Sequence, residues 1–250
     1  MTFHDHFSSR ASIYARARPT YPPSLFAHLA ALSPGRNLAW DCGTGNGQAA
    51  RGLAAHFSRV VATDPSAPQL AQASSHPKIE FRLAEERDCA LPALSVDLVT
   101  AAQAAHWFDL EAFYAEARRV LRPGGVIAIW CYNLMSIAPG IDDLIAHFYA
   151  VTVGPFWPPQ RKHTEAGYQT LPFPFPELPF PAVIMEQHWG LEELAAYLRS
   201  WSSVMRFTEK LGTDPVEPLL RDLLAVWGAK DQKRRVEWPL GGRIGRLPWS

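Results

Sequence analysis

Between residues 37 and 133, short apolar runs alternate with alanine-rich stretches, and two of those runs end in an acid. NLAWD (37–41) and RVVATD (59–64) share that shape. IEFRL (79–83), VDLVTAA (96–102) and GGVIAIWCYN (124–133) supply three further candidate strands. The intervening QAARGLAAHF and APQLAQASS have the composition of short helices. EAFYAEARRVL sets Phe113, Ala117, Val120 and Leu121 on one helical face, and RPGG (122–125) then stops the helix. Strands that are apolar almost throughout need cover on both faces. The pattern therefore predicts a doubly wound α/β fold around a mostly parallel sheet.

The second half reads differently. A helix is expected at 141–153, followed by a stretch (154–181) holding eight of the chain's 22 prolines. Prolines that dense forbid a regular helix or a central strand, so an excursion forming a lid or cap is expected. AVIMEQHW (182–189) then resembles a strand, 191–201 and 216–228 amphipathic helices, and VEWPL (236–240) a last strand. One domain over 1–250 accommodates an N-terminal lid segment (1–30), a ligand-binding core (37–133), a Pro-rich insertion or cap (134–181) and C-terminal helices and strands (182–250).

Composition narrows the function classes. With 24 Lys+Arg against 24 Asp+Glu the net charge is +0, so no global field draws the chain to nucleic acid or to an anionic membrane. The longest apolar run, 126–132, is too short to span a bilayer, and the first 19 residues carry no continuous apolar segment of a secretory signal. Three widely spaced cysteines (Cys42, Cys89, Cys131) form no disulfide framework or zinc spacing, which points to a reducing cytoplasm.

The chemistry-bearing segment is Asp41-Cys42-Gly43-Thr44-Gly45-Asn46-Gly47, at the end of the first expected strand and the start of a helix. Carboxyl ends of parallel strands form the ligand crevice, and glycines there let backbone pass close to a ligand. A dinucleotide fingerprint needs G-x-G-x-x-G, but here the position three after Gly45 is Gln48. Asp41 would also stand where a pyrophosphate approaches; like charges ~4 Å apart at a dielectric of ~20 repel by roughly 4 kcal/mol. An ammonium or sulfonium would be attracted instead. Asp64 ends the second strand 23 residues after Asp41, near the ~20-residue offset at which an acid meets ribose hydroxyls. It could equally start the next helix as a cap or turn residue, since Pro65 and Ser66 follow.

D-x-G-x-G-x-G, then D-P-S, A-E (84–85), S-V-D-L-V, A-A-Q-A-A-H-W-F-D and F-Y-A-E-A-R-R-V-L-R-P-G-G, in that order, resemble class I S-adenosylmethionine-dependent methyltransferases. Within these, the series is most similar to the trans-aconitate methyltransferase-like small-molecule group. The resemblance is strong over 7–133 and weak beyond. It implies a seven-stranded Rossmann-like sheet with S-adenosylmethionine as cofactor. Gly43, Thr44 and Gly45 would line the cofactor, Asp41 would lie near the methionine amine, and Asp64 would hold the ribose. Ala84 and Glu85 would face adenine, with Glu86 an alternative because of one extra residue after A-E. Gln103 would border the methionine moiety. The resemblance extends to an N-terminal lid, in which Phe7, Arg10, Tyr14 and Arg18 share one helical face, with Tyr14 and Arg18 near the cofactor.

His106 and Trp107 follow the fourth strand at its crevice end. His106 is the candidate catalytic group, either as a base for a hydroxyl or amine acceptor or as a pocket residue beside a carboxylate. Transfer to a carboxylate needs no base, because that group is already ionised at neutral pH. Trp107 and Trp201 are candidate pocket walls, and Arg161, Arg199 and Arg206 are candidate clamps for an anionic acceptor. Cys42 and Cys131 read as small buried residues, His4 and His6 lack further metal ligands, and 230–235 reads as a solvated helix end. The expectation is methylation of a small molecule, first a carboxylic acid. A non-catalytic binder of the cofactor or of its demethylated product is the alternative from another class.

Overall fold

The computed structural model describes residues 19–229 and 231–249. Five parallel strands form its centre: β1 (Leu38–Cys42), β2 (Arg59–Asp64), β3 (Ile79–Leu83), β4 (Val96–Ala102) and β5 (Leu121–Tyr132). They run in the order β3-β2-β1-β4-β5. The reversal of direction between β1 and β4 is the switch point at which such sheets open a crevice. A long strand, β8 (Arg234–Arg246), lies antiparallel against β5, with the two-residue β6 (Glu177–Leu178) beyond it. Seven strands thus lie on one path. β7 (Ile184–Trp189) pairs with the other half of β8, from Arg234 to Pro239.

Alternation along the strands builds two cores. Ala39, Val60 and Leu98 face one layer with Leu25 and Phe26 of α1 (Pro23–Leu32) and Leu53 of α2 (Gln48–Ala54). Trp40, Val61 and Val99 face the other with Phe113, Ala117 and Val120 of α4 (Leu110–Val120), the helical stripe read from sequence. The short α3 (Ala67–Leu70) separates β2 from β3. The first layer continues under α5 (Pro139–His147), α7 (Leu191–Arg199), α8 (Ser202–Leu211) and α9 (Val216–Trp227), where Trp189, Tyr197 and Trp238 pack ring against ring. No helix among the described residues is long and apolar enough to cross a membrane.

Three expectations need correction. The last strand extends from Arg234 to Arg246 rather than over 236–240, and its second half is rich in glycine for a steric reason. A Cβ at Gly242 would sit 2.5 Å from the Ile129 carbonyl, and one at Gly245 would sit 2.5 Å from Phe175 Cβ. The Pro-rich stretch does hold a helix, α6 (Arg161–Glu165), in the proline-free gap between Pro159 and Pro172. Helix α8 adds an element that the sequence pattern did not mark.

Candidate functional site

The glycine loop leaves β1 and is strapped to the end of β2. Thr44 N–H donates to the Thr63 carbonyl at 2.9 Å, Gly45 N–H to Asp64 Oδ2 at 2.8 Å and Gly47 N–H to the Thr44 carbonyl at 2.9 Å. Gly43, Gly45 and Gly47 all have left-handed backbones. The close approach differs among them. A Cβ on Gly43 would meet Ala104 Cβ at 2.5 Å and one on Gly47 would meet Phe81 at 2.7 Å, whereas beside Gly45 the nearest atom is Gln69 Oε1 at 3.8 Å. Among the described residues a side chain at Gly45 would thus meet only ordinary contact, while at the other two it would clash.

Asp41 lies beneath this loop, wholly buried. Its Oδ2 accepts from the Thr44 hydroxyl at 2.6 Å and its Oδ1 from the Thr100 hydroxyl at 2.7 Å, so one carboxylate ties the loop to β4. Burial pushes its pKa up to about 6, against the opposing pull of the two hydroxyls, and the nearby Asp64 charge adds to the rise. Asp64, 8 % exposed, caps the end of β2: Oδ1 accepts from Ser66 N–H and Oδ2 from Gly45 N–H, both at 2.8 Å. The turn role and the loop-holding role thus coexist on one carboxylate.

Beyond β3, Ala84 N–H donates to the Asp64 carbonyl at 3.2 Å. Glu85 is exposed and paired with Arg87, while the less exposed Glu86 accepts from Asp109 N–H at 3.2 Å. Leu83, the register partner of Asp64, is 64 % exposed, a bare apolar side chain at the crevice edge that the sequence reading passed over. Gln103 follows β4 with φ +55°, a left-handed backbone rare for a side chain of this kind. Its N–H donates to the Trp130 carbonyl at 2.8 Å and its Nε2 to the Tyr132 carbonyl at 3.0 Å, which fixes it at the carboxyl ends of β4 and β5.

His106 comes next, in a single helical turn over Ala105–Trp107. Its Nδ1 lies 2.7 Å from the hydroxyl of Tyr168, and its ring centroid 4.9 Å from that of Trp107. On the far side of β5, Arg161 opens α6. Its Nε donates to the Tyr149 hydroxyl at 2.7 Å and one terminal nitrogen to Asn133 Oδ1 at 2.6 Å. The guanidinium lies 4.7 Å from the Trp157 ring centre and 5.3 Å from that of Tyr149. Trp201 packs against both Tyr149 and Trp157.

Of the other clamp candidates, Arg199 is committed to Asp214 and Glu217, and Arg206 reaches the Phe156 carbonyl at 3.4 Å. Asn133, Tyr149 and Tyr168 carried no signal in sequence; tertiary packing alone brings them to this strand end. Cys42 and Cys131 are buried thiols whose pKa values burial raises, that of Cys131 to about 12. Tyr14 and Arg18, like Phe7, Arg10, His4 and His6, lie outside the described residues.

This geometry has close counterparts. Residues 40–129 match the family model for a methyltransferase domain. A Dictyostelium discoideum protein named as a methyltransferase is 35% identical over 226 residues, spanning 89% of this chain and 86% of its own. A solved structure from Anaeromyxobacter dehalogenans, described as a type II methyltransferase, superposes with a TM-score of 0.88 at 45% identity, over 92% of this chain and 99% of that one. The chain belongs to the class I S-adenosylmethionine-dependent methyltransferases.

The crevice of this methyltransferase fits that cofactor on its own chemistry. The Thr44, Gly45 and Gly47 N–H groups are spent within the protein, so the loop is no cradle for phosphate. The loop is instead backed by the two carboxylates of Asp41 and Asp64, which suits a cationic nucleoside without phosphates.

Proposed function

We propose that the methyltransferase transfers the methyl group of S-adenosylmethionine to an oxygen of a small carboxylic acid. The observation that carries this reading is Arg161. Among the described residues no carboxylate lies within 4.0 Å of its guanidinium. Its two side-chain partners, the Tyr149 hydroxyl and the Asn133 amide, are neutral. A planar guanidinium of this kind, lying over the Trp157 and Tyr149 rings, is matched in shape and charge by a carboxylate. Asn133 follows directly on Tyr132, whose carbonyl holds Gln103, so the cation belongs to the same strand ends as Gln103 and His106.

The bound cofactor supplies an electrophilic methyl on a sulfonium. The protein's contribution is alignment and the exclusion of water. Asp64, at the end of β2, would accept from the ribose hydroxyls, Ala84 and Glu85 lie where adenine would follow β3, and Gln103 borders the methionine end. Gly43, Thr44 and Gly45 line the intervening path, with Asp41 acting from below. Trp107 and Trp201 wall the acceptor pocket. Buried, unpaired cysteines suit work in a reducing cytoplasm.

Calorimetry on protein loaded with S-adenosylhomocysteine tests the acceptor class. Short- and medium-chain carboxylic acids should bind, and Arg161→Gln should weaken them at least about tenfold while the affinity for S-adenosylhomocysteine stays unchanged. Equal binding of the acids to wild type and variant would defeat the assignment.

A further inference from the structure

Tyr168 sits in the Pro-rich stretch, 62 residues along the chain from His106, and its side chain is wholly buried. Its backbone is left-handed, with φ +65°, directly after Gly167 at +58°. A non-glycine residue held this way costs of order 1 kcal/mol or more and persists where the surroundings fix it. Here Tyr168 N–H donates to the His163 carbonyl at 2.8 Å and Gly167 packs on Gly241 of β8. The result is a phenol delivered to the histidine by a stretch of chain distant in sequence.

The direction of the hydrogen bond follows from counting donors. Burial raises the Tyr168 pKa well above its ordinary value, so the phenol keeps its proton. Buried hydroxyl protons find acceptors, and among the described residues the only acceptor hydrogen-bonded to this hydroxyl is Nδ1 of His106. If Nδ1 carried a proton, the phenol's own proton would have no partner among the described residues.

We infer that Tyr168 is a positioning residue that locks His106 in the tautomer with its proton on Nε2, so that His106 serves the reaction as a hydrogen-bond donor and not as a base. With Nδ1 covered by Tyr168 and Nε2 already protonated, the neutral imidazole has no lone pair to offer an acceptor hydroxyl or amine. The polarity of an Nε2 N–H matches an anionic acceptor group. The inference rests on the reading that His106 borders the acceptor, and it deepens it. The reacting group arrives ionised, and His106 orients one carboxylate oxygen while the other attacks the methyl.

Nitrogen-15 NMR of histidine-labelled protein at neutral pH, with and without S-adenosylhomocysteine, reads the tautomer without any acceptor. His106 should show a protonated Nε2 and a bare, hydrogen-bond-accepting Nδ1. Tyr168→Phe should erode that preference, giving a mixture of tautomers. A wild-type His106 protonated on Nδ1, or a Tyr168→Phe spectrum unchanged from wild type, would overturn the inference. A second variant pair avoids dependence on the phenylalanine variant folding. Glutamine can present an N–H near the Nε2 position but has no basic nitrogen. His106→Gln should therefore keep kcat/KM for the best-turned-over acid of the panel within about tenfold of wild type, while His106→Ala loses about 10- to 100-fold, as a hydrogen bond to a charged group is worth. Equal losses in the two would restore the base. If no acid in the panel is methylated, the acceptor reading fails, and the NMR result still decides the tautomer.

Discussion

Replacing Asp41 by asparagine isolates the charge buried beneath the glycine loop. In the folded protein burial raises this carboxyl from 3.8 to about 6, although the Thr44 and Thr100 hydroxyls both donate to it. A raised acid pKa means that the folded state holds the proton more tightly than the unfolded state does. Asp41 thus contributes its full stability below pH 3.8, and that contribution is lost as pH rises through about 6. At about 1.36 kcal/mol per pKa unit the loss is about 3 kcal/mol, of which more than about 2 kcal/mol falls between pH ~4 and pH ~7.5. Asparagine keeps the shape of the side chain but cannot titrate. Urea unfolding of wild type and Asp41→Asn across that range should show the stability difference moving in favour of the variant by about 2–3 kcal/mol as pH rises. Using the difference cancels groups common to both proteins, such as Glu80, whose pKa its arginine partners lower to about 2. A difference that stays flat across the range would refute the claim that the loop is built over a desolvated carboxylate.

Two further perturbations probe the same crevice. Gly43→Ala combines a left-handed backbone with a Cβ 2.5 Å from Ala104, so it should cost about 2–4 kcal/mol and lower the melting temperature measurably; an unchanged melt would contradict the close packing. Asp64→Ala removes both the strap to Gly45 and the proposed ribose acceptor, and titration calorimetry should show S-adenosylhomocysteine affinity falling at least about tenfold, whereas wild-type affinity would exclude that role.

How much of this was readable in advance depended on how local the physics is. β1, β2, β4 and most of β5 are buried on both faces and so appear as nearly continuous apolar runs, whereas the edge strand β3 is only half-buried and alternates, and the stripe of α4 follows from its period alone. The second half of β8 hides because its inner positions are glycines that let β5 and Phe175 approach. The glycine loop announced itself, yet the sequence could not say that Asp41 would lie under it, fully buried, with threonines from two elements as partners. The acceptor side was the least legible. Arg161 was one of three equivalent arginines until Arg199 was seen to be neutralised by Asp214 and Glu217. Tyr168 reaches His106 only because a proline-rich excursion folds back across the sheet end.

Methyl transfer itself is the most direct test of the account. Protein incubated with S-adenosylmethionine carrying an isotope-labelled methyl group and a panel of small acids, phenols and amines should place label on an acid. That label should be released as methanol by mild alkali, as a methyl ester requires. Label that enters phenols or amines in alkali-stable form, with none in the acids, would contradict it.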